Sequence, residues 1–273
     1  MIATISKTHL LILFLFLVTS HLRAQTLGIT QEFIIPDSIS PESHFEVSSN
    51  GEIYILADNG IYQVNKKKWT LAPKPFMPIL SFSLHPTKGS VEYLTVFDIQ
   101  NSTYGLFKYV DLDSFYQLHL ISRFDPSRKI VYPIQVGNEL FLFWNNRNTG
   151  CGFGKLIYGD SIVSILDLQE GTAGPFTLIN RNNLFFYYDN ILLNYNGNSG
   201  LRSTINTAIM PSSICYDGMA GLYLSGETGI FQLNSEEKLT RVYSLEAGLI
   251  KVVGNVLYSY VRSARTIRVL TLR

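Results

Sequence analysis

Two cysteines among 273 residues, Cys151 and Cys215, are too few to build a disulfide framework. Charge is scarce too: 22 Lys and Arg stand against 21 Asp and Glu, 16% of the chain in all. Such a balance leaves no electrostatic footprint for nucleic acid or an anionic membrane surface. With 46% hydrophobic residues, a sizeable core is available and disorder is excluded as the dominant state. Long hydrophobic runs are missing: the longest, Leu10 to Val18, is about half of the roughly 20 residues a spanning helix needs. No segment beyond the first 25 residues sustains helical apolar spacing for more than about ten residues.

The sequence also lacks recognisable reaction chemistry. It has no Gly-x-Ser-x-Gly, no His-Glu-x-x-His and no P-loop. Gly150-Cys151-Gly152-Phe153-Gly154 has the wrong spacing for a dinucleotide fingerprint, and no helix pattern follows it. His44, His85 and His119 fall in separate strand-like runs without the spacing of a metal set. No catalytic residue, metal site or cofactor is therefore assigned.

The first 24 residues have the layout of a secretory signal peptide. Lys7 and His9 precede the apolar run, and a small residue, Ala24, ends the segment. An uncleaved anchor is the alternative. Cleavage removes Lys7 and Arg23 and leaves 20 basic against 21 acidic residues. The expected product, 25–273, is an exported domain: periplasmic, associated with the outer membrane or extracellular. No stable membrane span remains after cleavage, and a monomer is expected.

A repeat is what the chain does contain. IYILADNGIYQVN at Ile53 to Asn65 returns 169 residues later as LYLSGETGIFQLN at Leu222 to Asn234. Each copy is a β-branched and aromatic run, a polar turn ending in Gly, and a second such run, the pattern of a hairpin. Aromatic anchors at Tyr54, Tyr93, Phe141, Phe185, Tyr223 and Tyr258 are spaced by 39, 48, 44, 38 and 35 residues. Their mean, about 41, matches the roughly 40–45 residues of a four-stranded propeller blade. Strand-like runs fill five quartets between residues 44 and 245, and three more follow to 272. A leading run, Gly28 to Ile35, has no hairpin partner beside it. Placed as the outer strand of the last blade, it closes a ring of six. This layout puts a whole blade between Cys151 and Cys215, so no bridge is expected. The Lys66-Lys67-Lys68 run falls in a hairpin loop. A β-sandwich or jelly roll shares the short strands but does not call for an aromatic anchor every forty residues.

Asp217-Gly218-Met219-Ala220-Gly221-Leu222-Tyr223-Leu224-Ser225-Gly226-Glu227-Thr228-Gly229-Ile230 resembles the propeller repeat of bacterial two-component sensor proteins. Residues Asn50 to Tyr62 are a second, poorer match, and Tyr stands in both where that repeat has Trp. In hybrid sensors of Bacteroidetes the repeat builds periplasmic glycan-binding domains. The resemblance implies an exported, sensor-like propeller. No sandwich module, membrane span or kinase follows the repeats here, so a free-standing relative is expected, unable by itself to carry a signal across a membrane.

In a propeller, the turns between second and third strands gather at one mouth of the channel with the inter-blade connections. Here those segments and their neighbours carry Asp58, Asn59, Asp98, Asn101, Trp144, Arg147, Asp189, Glu227, Arg262 and Arg265. A ring of mixed polar groups with aromatics nearby suits a glycan or protein ligand. The expected function is a non-catalytic binding or interaction module. The alternative is a carbohydrate-active enzyme, a glycoside hydrolase or lyase, in which two of the carboxylates act as a pair.

Overall fold

The computed structural model describes residues 26–73, 77–112, 115–124, 128–146, 150–157, 161–168, 171, 173–218, 221–234 and 237–272. The signal-peptide segment lies outside these residues, as does Arg147. The described residues form strands and turns and no helix.

A leading strand, β1 (Leu27–Ile34), precedes five complete quartets. The first blade is β2 (Pro41–Val47), β3 (Ile53–Ala57), β4 (Gly60–Gln63) and β5 (Lys68–Leu71). The second is β6 (Ile79–Leu84), β7 (Val91–Asp98), β8 (Thr103–Leu112) and β9 (Phe115–Phe124). The third is β10 (Arg128–Val136), β11 (Glu139–Asn146), β12 (Cys151–Leu156) and β13 (Ile162–Leu168). Blade four is β14 (Ala173–Asn180), β15 (Asn183–Tyr188), β16 (Ile191–Asn196) and β17 (Gly200–Asn206). Blade five is β18 (Ser213–Tyr216), β19 (Leu222–Gly226), β20 (Gly229–Leu233) and β21 (Leu239–Tyr243). The last contains β22 (Leu249–Val253), β23 (Val256–Val261) and β24 (Thr266–Leu272), with β1 as its fourth strand. The chain is a six-bladed β-propeller.

Each quartet pairs antiparallel in chain order, and β1 pairs antiparallel with β24 from Leu27↔Leu272 to Ile34↔Thr266. The ring therefore closes as the count of strand-like runs requires. Closure is fastened at several depths. Tyr260 donates its hydroxyl to the Glu42 carbonyl at 2.9 Å, and its ring packs on Phe45 at 5.5 Å. Lys251 pairs with Glu46 at 2.8 Å, while Arg265 donates to the Pro36 and Ile39 carbonyls.

The repeated letters have separate tasks. Ile61 and Ile230 are completely buried between blades. Gln63 donates to the Tyr54 hydroxyl at 3.3 Å, and Gln232 does the same to Tyr223 at 3.4 Å, so this cross-strand pair recurs. The Asn65 side chain accepts from the Ile53 amide and donates to the Gly51 carbonyl, closing the hairpin end. Gly60 and Gly229 open the third strand where the fourth strand's backbone crosses close above. A Cβ there would lie 2.6 Å from the Leu71 oxygen and 2.0 Å from the Tyr243 oxygen respectively.

Burial is distributed as the architecture demands. Six apolar clusters sit between or within neighbouring blades, because a single sheet leaves both faces wet until a neighbour covers them. Cys151 and Cys215 are buried and free, in blades three and five. Their thiols are held protonated by desolvation; that of Cys151 is pushed up to about 12.

Strand edges depart from the sequence expectation in one instructive place. β2 begins at Pro41, three residues before the expected start, with a register shift between Pro41 and Phe45. Proline is tolerated at the first position of a strand, where no ladder donor is needed. The lysine run does form the expected hairpin: Lys66 pairs with Glu52, Lys67 takes φ 51° in the turn, and Lys68 opens β5.

Candidate functional site

A cavity of about 670 Å³ runs along the propeller axis, lined by segments at all six first strands. This follows from sheet order. First strands stand nearest the axis, so their residues wall the channel whatever the blade surfaces bury. Between β10 and β14 side chains rather than close backbone make the contact. Phe176 stacks on Phe143 at 3.9 Å and meets Tyr132 at 5.5 Å. There Asn145, from the second strand β11, also reaches the cavity.

Charged and titratable groups concentrate on one wall. Glu46 from β2 holds Lys251 of β22 at 2.8 Å, and its same carboxylate oxygen lies 3.7 Å from His44 Nε2. His44 Nε2 lies 3.0 Å from the Phe82 carbonyl oxygen and 3.4 Å from the Phe82 amide nitrogen, so the backbone of β6 occupies that ring nitrogen as acceptor or donor according to the tautomer. Its ring centroid lies 4.7 Å from that of Phe82 and 6.0 Å from that of Tyr132. Burial is the largest influence on His44 and lowers its pKa from 6.5; Glu46 opposes that shift and Lys251 adds to it. The wall thus carries a neutral imidazole and a self-compensated ion pair.

This burial makes stability depend on pH. The unfolded chain binds a proton at His44 near pH 6.5, whereas the native channel binds one only at lower pH. Stability contributed by the neutral imidazole is therefore full above pH 6.5 and falls as pH drops below it. The urea midpoint is expected to decline between pH 7.5 and 5.5, and His44→Gln to flatten that decline. An equal slope in both proteins would contradict the assignment.

Three of the lining residues carry an unmet hydrogen bond behind the wall, on atoms that the cavity does not expose. Ser83 Oγ, Gln135 Oε1 and Asn145 Oδ1 are buried polar atoms without a protein partner, and all three residues line the cavity. Gln135 donates its amide nitrogen to the Gly137 carbonyl at 3.3 Å, so its oxygen is the free end. Among the described residues, no group of three or more His, Cys, Asp and Glu is arranged to share a metal ion.

Arg147 lies outside the described residues; the other residues singled out from sequence occupy other positions, and none of them lines this cavity. Asp58 and Asn59 form the β3–β4 turn with φ 46° and 64°, and Asp58 accepts from the Ser40 amide at 3.1 Å. Asp98 accepts from the Gln100 and Asn101 amides and from the Asn101 side chain, which together hold its carboxyl below the usual range. Asp189 takes φ 44° in the β15–β16 turn, and Glu227 is exposed in the β19–β20 turn. Trp144 is 4% exposed, inside the apolar cluster shared with blade two, over Gly152. Arg262 donates to the Pro41 carbonyl and to Ser43 Oγ, and with Arg265 it stitches the last blade to the first. Asp58, Asp98, Asp189 and Glu227 belong to four different blades, each in or beside a second-to-third turn.

His44, Glu46, Tyr132, Gln135, Phe176 and Lys251 were not singled out from sequence. A usable signal existed: once the quartets are counted, polar residues inside first strands are channel residues. The rim turns are rich in the polar residue types that binding loops favour.

Comparison with known proteins bears on this geometry. No protein-family model and no curated protein matches the chain. Solved structures do. A luciferin-regenerating enzyme superposes with TM-score 0.62 at 9% identity, over 91% of this chain and 95% of that one. A gluconolactonase from Xanthomonas campestris gives 0.60 at 10% identity, over 91% and 97%. The extracellular domain of a protein assigned to one-component signalling systems in B. thetaiotaomicron gives 0.53 at 14% identity. That match covers 90% of this chain and 40% of the other. At these identities the likeness is one of fold. Among the described residues no helix is long and apolar enough to cross a membrane.

Proposed function

We propose that this is an exported, sensor-like binding propeller whose ligand sits in the axial channel. The observation that carries the reading is the cavity itself. It is within the roughly 300–1,000 Å³ of small-molecule sites, and it combines aromatic faces with convergent polar groups on rigid strands. Export rests on the signal-peptide layout. The sensor-like role rests on the repeat and on the fold shared with an extracellular signalling domain. Screening the purified protein on glycan and peptide arrays, followed by titration of the hits, tests it. Binding that is lost in Lys251→Met and kept in Asp58→Asn, Asp189→Asn and Glu227→Gln supports the channel. The opposite pattern moves recognition to the rim turns.

A hydrolytic reading has its own observation in favour. Neutral His44 lies 3.7 Å from a carboxylate inside the channel, in a fold shared with a gluconolactonase. On this reading His44 takes a proton from water and Glu46 steadies the imidazolium. Turnover of a lactone or polysaccharide panel that falls at least a hundredfold in Glu46→Gln would establish it. Turnover that falls in Asp58→Asn or Asp189→Asn instead would return the chemistry to the rim.

A further inference from the structure

Resting on the channel reading above, we infer that the axial cavity takes a free α-amino acid with a large apolar side chain. Among the described residues that line the cavity, Glu46 is the one acidic side chain and Lys251 the one ammonium. They lie side by side, 2.8 Å apart, on the first strands β2 and β22. Neither is sealed off: the Lys251 side chain is 38% exposed and that of Glu46 21%. An ammonium has three donors, and Glu46 takes one of them. A carboxylate has two acceptor oxygens, and the contacts with Lys251 and His44 both fall on Oε1. The pair is balanced in charge, yet it keeps donors and an acceptor to offer.

That balance selects the charge of the occupant. A lone anion drawn to Lys251 would lie beside Glu46, and a lone cation drawn to Glu46 would lie beside Lys251. In either case repulsion from one partner offsets attraction to the other. A ligand with one charge of each sign avoids the conflict: its carboxylate faces Lys251 and its ammonium faces Glu46. An α-amino acid carries both groups on one carbon, which matches two side chains in direct contact. His44 adds no third charge, because burial favours its neutral form and the β6 backbone occupies Nε2. The rest of the wall selects the side chain. From the ion pair a path of contacts leads to aromatic surface. His44 Nε2 is 3.7 Å from Glu46, its ring is 6.0 Å from that of Tyr132, and Tyr132 is 5.5 Å from Phe176. Tyr132 and Ile134 of β10 and Phe176 and Leu178 of β14 are half-buried and line the cavity. The lining residues of those two strands include no charged side chain. Ionic groups on one side and an aromatic and aliphatic surface on the other suit a zwitterionic head joined to an apolar body.

The test is calorimetric titration of the purified protein with phenylalanine, tryptophan and leucine. Glycine lacks the apolar body; hydrocinnamate and phenethylamine keep the ring but each lack one charged group. At least one of the three large amino acids is expected to bind, and more tightly than these probes by about tenfold, the worth of one hydrogen bond to a charged group. Lys251→Met leaves Glu46 alone and is expected to turn the preference towards phenethylamine. Glu46→Gln leaves Lys251 alone and is expected to turn it towards hydrocinnamate. Loss of a merely structural ion pair would weaken all probes alike and would not reverse the order. Lys251→Arg keeps both charges and should keep the parent order, so the claim stays open to refutation where a neutral variant fails to fold. Hydrocinnamate or phenethylamine bound by the parent as tightly as phenylalanine overturns the zwitterionic head, and glycine bound as tightly overturns the apolar body. Absence of binding by all three amino acids overturns the inference, while array hits lost in Lys251→Met would still uphold the channel reading. Amino-acid binding that survives both neutral variants, yet is lost in Asp58→Asn or Glu227→Gln, overturns the channel reading as well.

Discussion

Gly229→Ala is expected to lower the thermal midpoint by roughly 6–12 °C, a large effect for the addition of one methyl group. Gly229 opens the third strand of blade five at φ +141°, a region that residues with a side chain rarely enter. A Cβ would lie 2.0 Å from the Tyr243 oxygen and 3.0 Å from its carbonyl carbon. Those atoms are backbone of the paired outer strand, so relief requires the β20–β21 ladder to move. Strain of this kind costs about 3 kcal/mol, and a domain of this size loses about 2–4 °C per kcal/mol. The proper control is Gly254→Ala. That residue also has positive φ, +60°, but no atom lies within 4 Å of its added methyl, so only about 1 kcal/mol of backbone strain is expected. Calorimetry of the two variants side by side checks the claim; equal midpoints would show that the blade accommodates the methyl group.

Deletion of residues 27–34 is expected to remove roughly a third or more of the stability and to broaden unfolding. β1 supplies the outer strand of the last blade through seven paired positions along β24. It also buries Leu27 and places Glu32 3.1 Å from Arg268. A ladder bond contributes about 1 kcal/mol net, so its loss with the buried side chain is on the order of 5 kcal/mol. Total stabilities of folded domains are only about 5–15 kcal/mol. The deletion also frees the segment that feeds β2, which Arg265 holds at the Pro36 and Ile39 carbonyls. Urea unfolding followed by near-ultraviolet circular dichroism measures the loss. Adding the 27–34 peptide in trans should recover part of it. An unchanged midpoint would mean that the ring is sealed elsewhere.

Strand quartets were legible in the chain because they are local. An aromatic anchor near every forty-first residue, Asn-Gly and Asp-Asn-Gly turns, and runs such as Leu140-Phe141-Leu142-Phe143 each report on neighbours within ten residues. Closure by Gly28 to Ile35 was legible by subtraction, since five quartets and a triplet leave one strand short. The axial cavity was less so. Asp58 and Asp189 stand in turns because positive φ favours Asp and Asn, and Asp98 because its carboxylate accepts from the amides of the turn that follows it. In the structure Asp98 is taken up by its own turn and Asp58 by the Ser40 amide. Arg262 and Arg265 are committed to the ring seam, which no local pattern announces.

Blade number, strand order and the need for a closing strand follow from the letters alone, because periodic burial forces each sheet to lean on the next. Which side chains share a carboxylate is a different matter. His44, Glu46 and Lys251 come from opposite ends of the chain and meet only because closure sets β22 beside β2. The axial cavity likewise exists only because six first strands converge on one axis, leaving space that no single blade contains. Short-range pattern could decide the walls; the room they enclose had to wait for the ring.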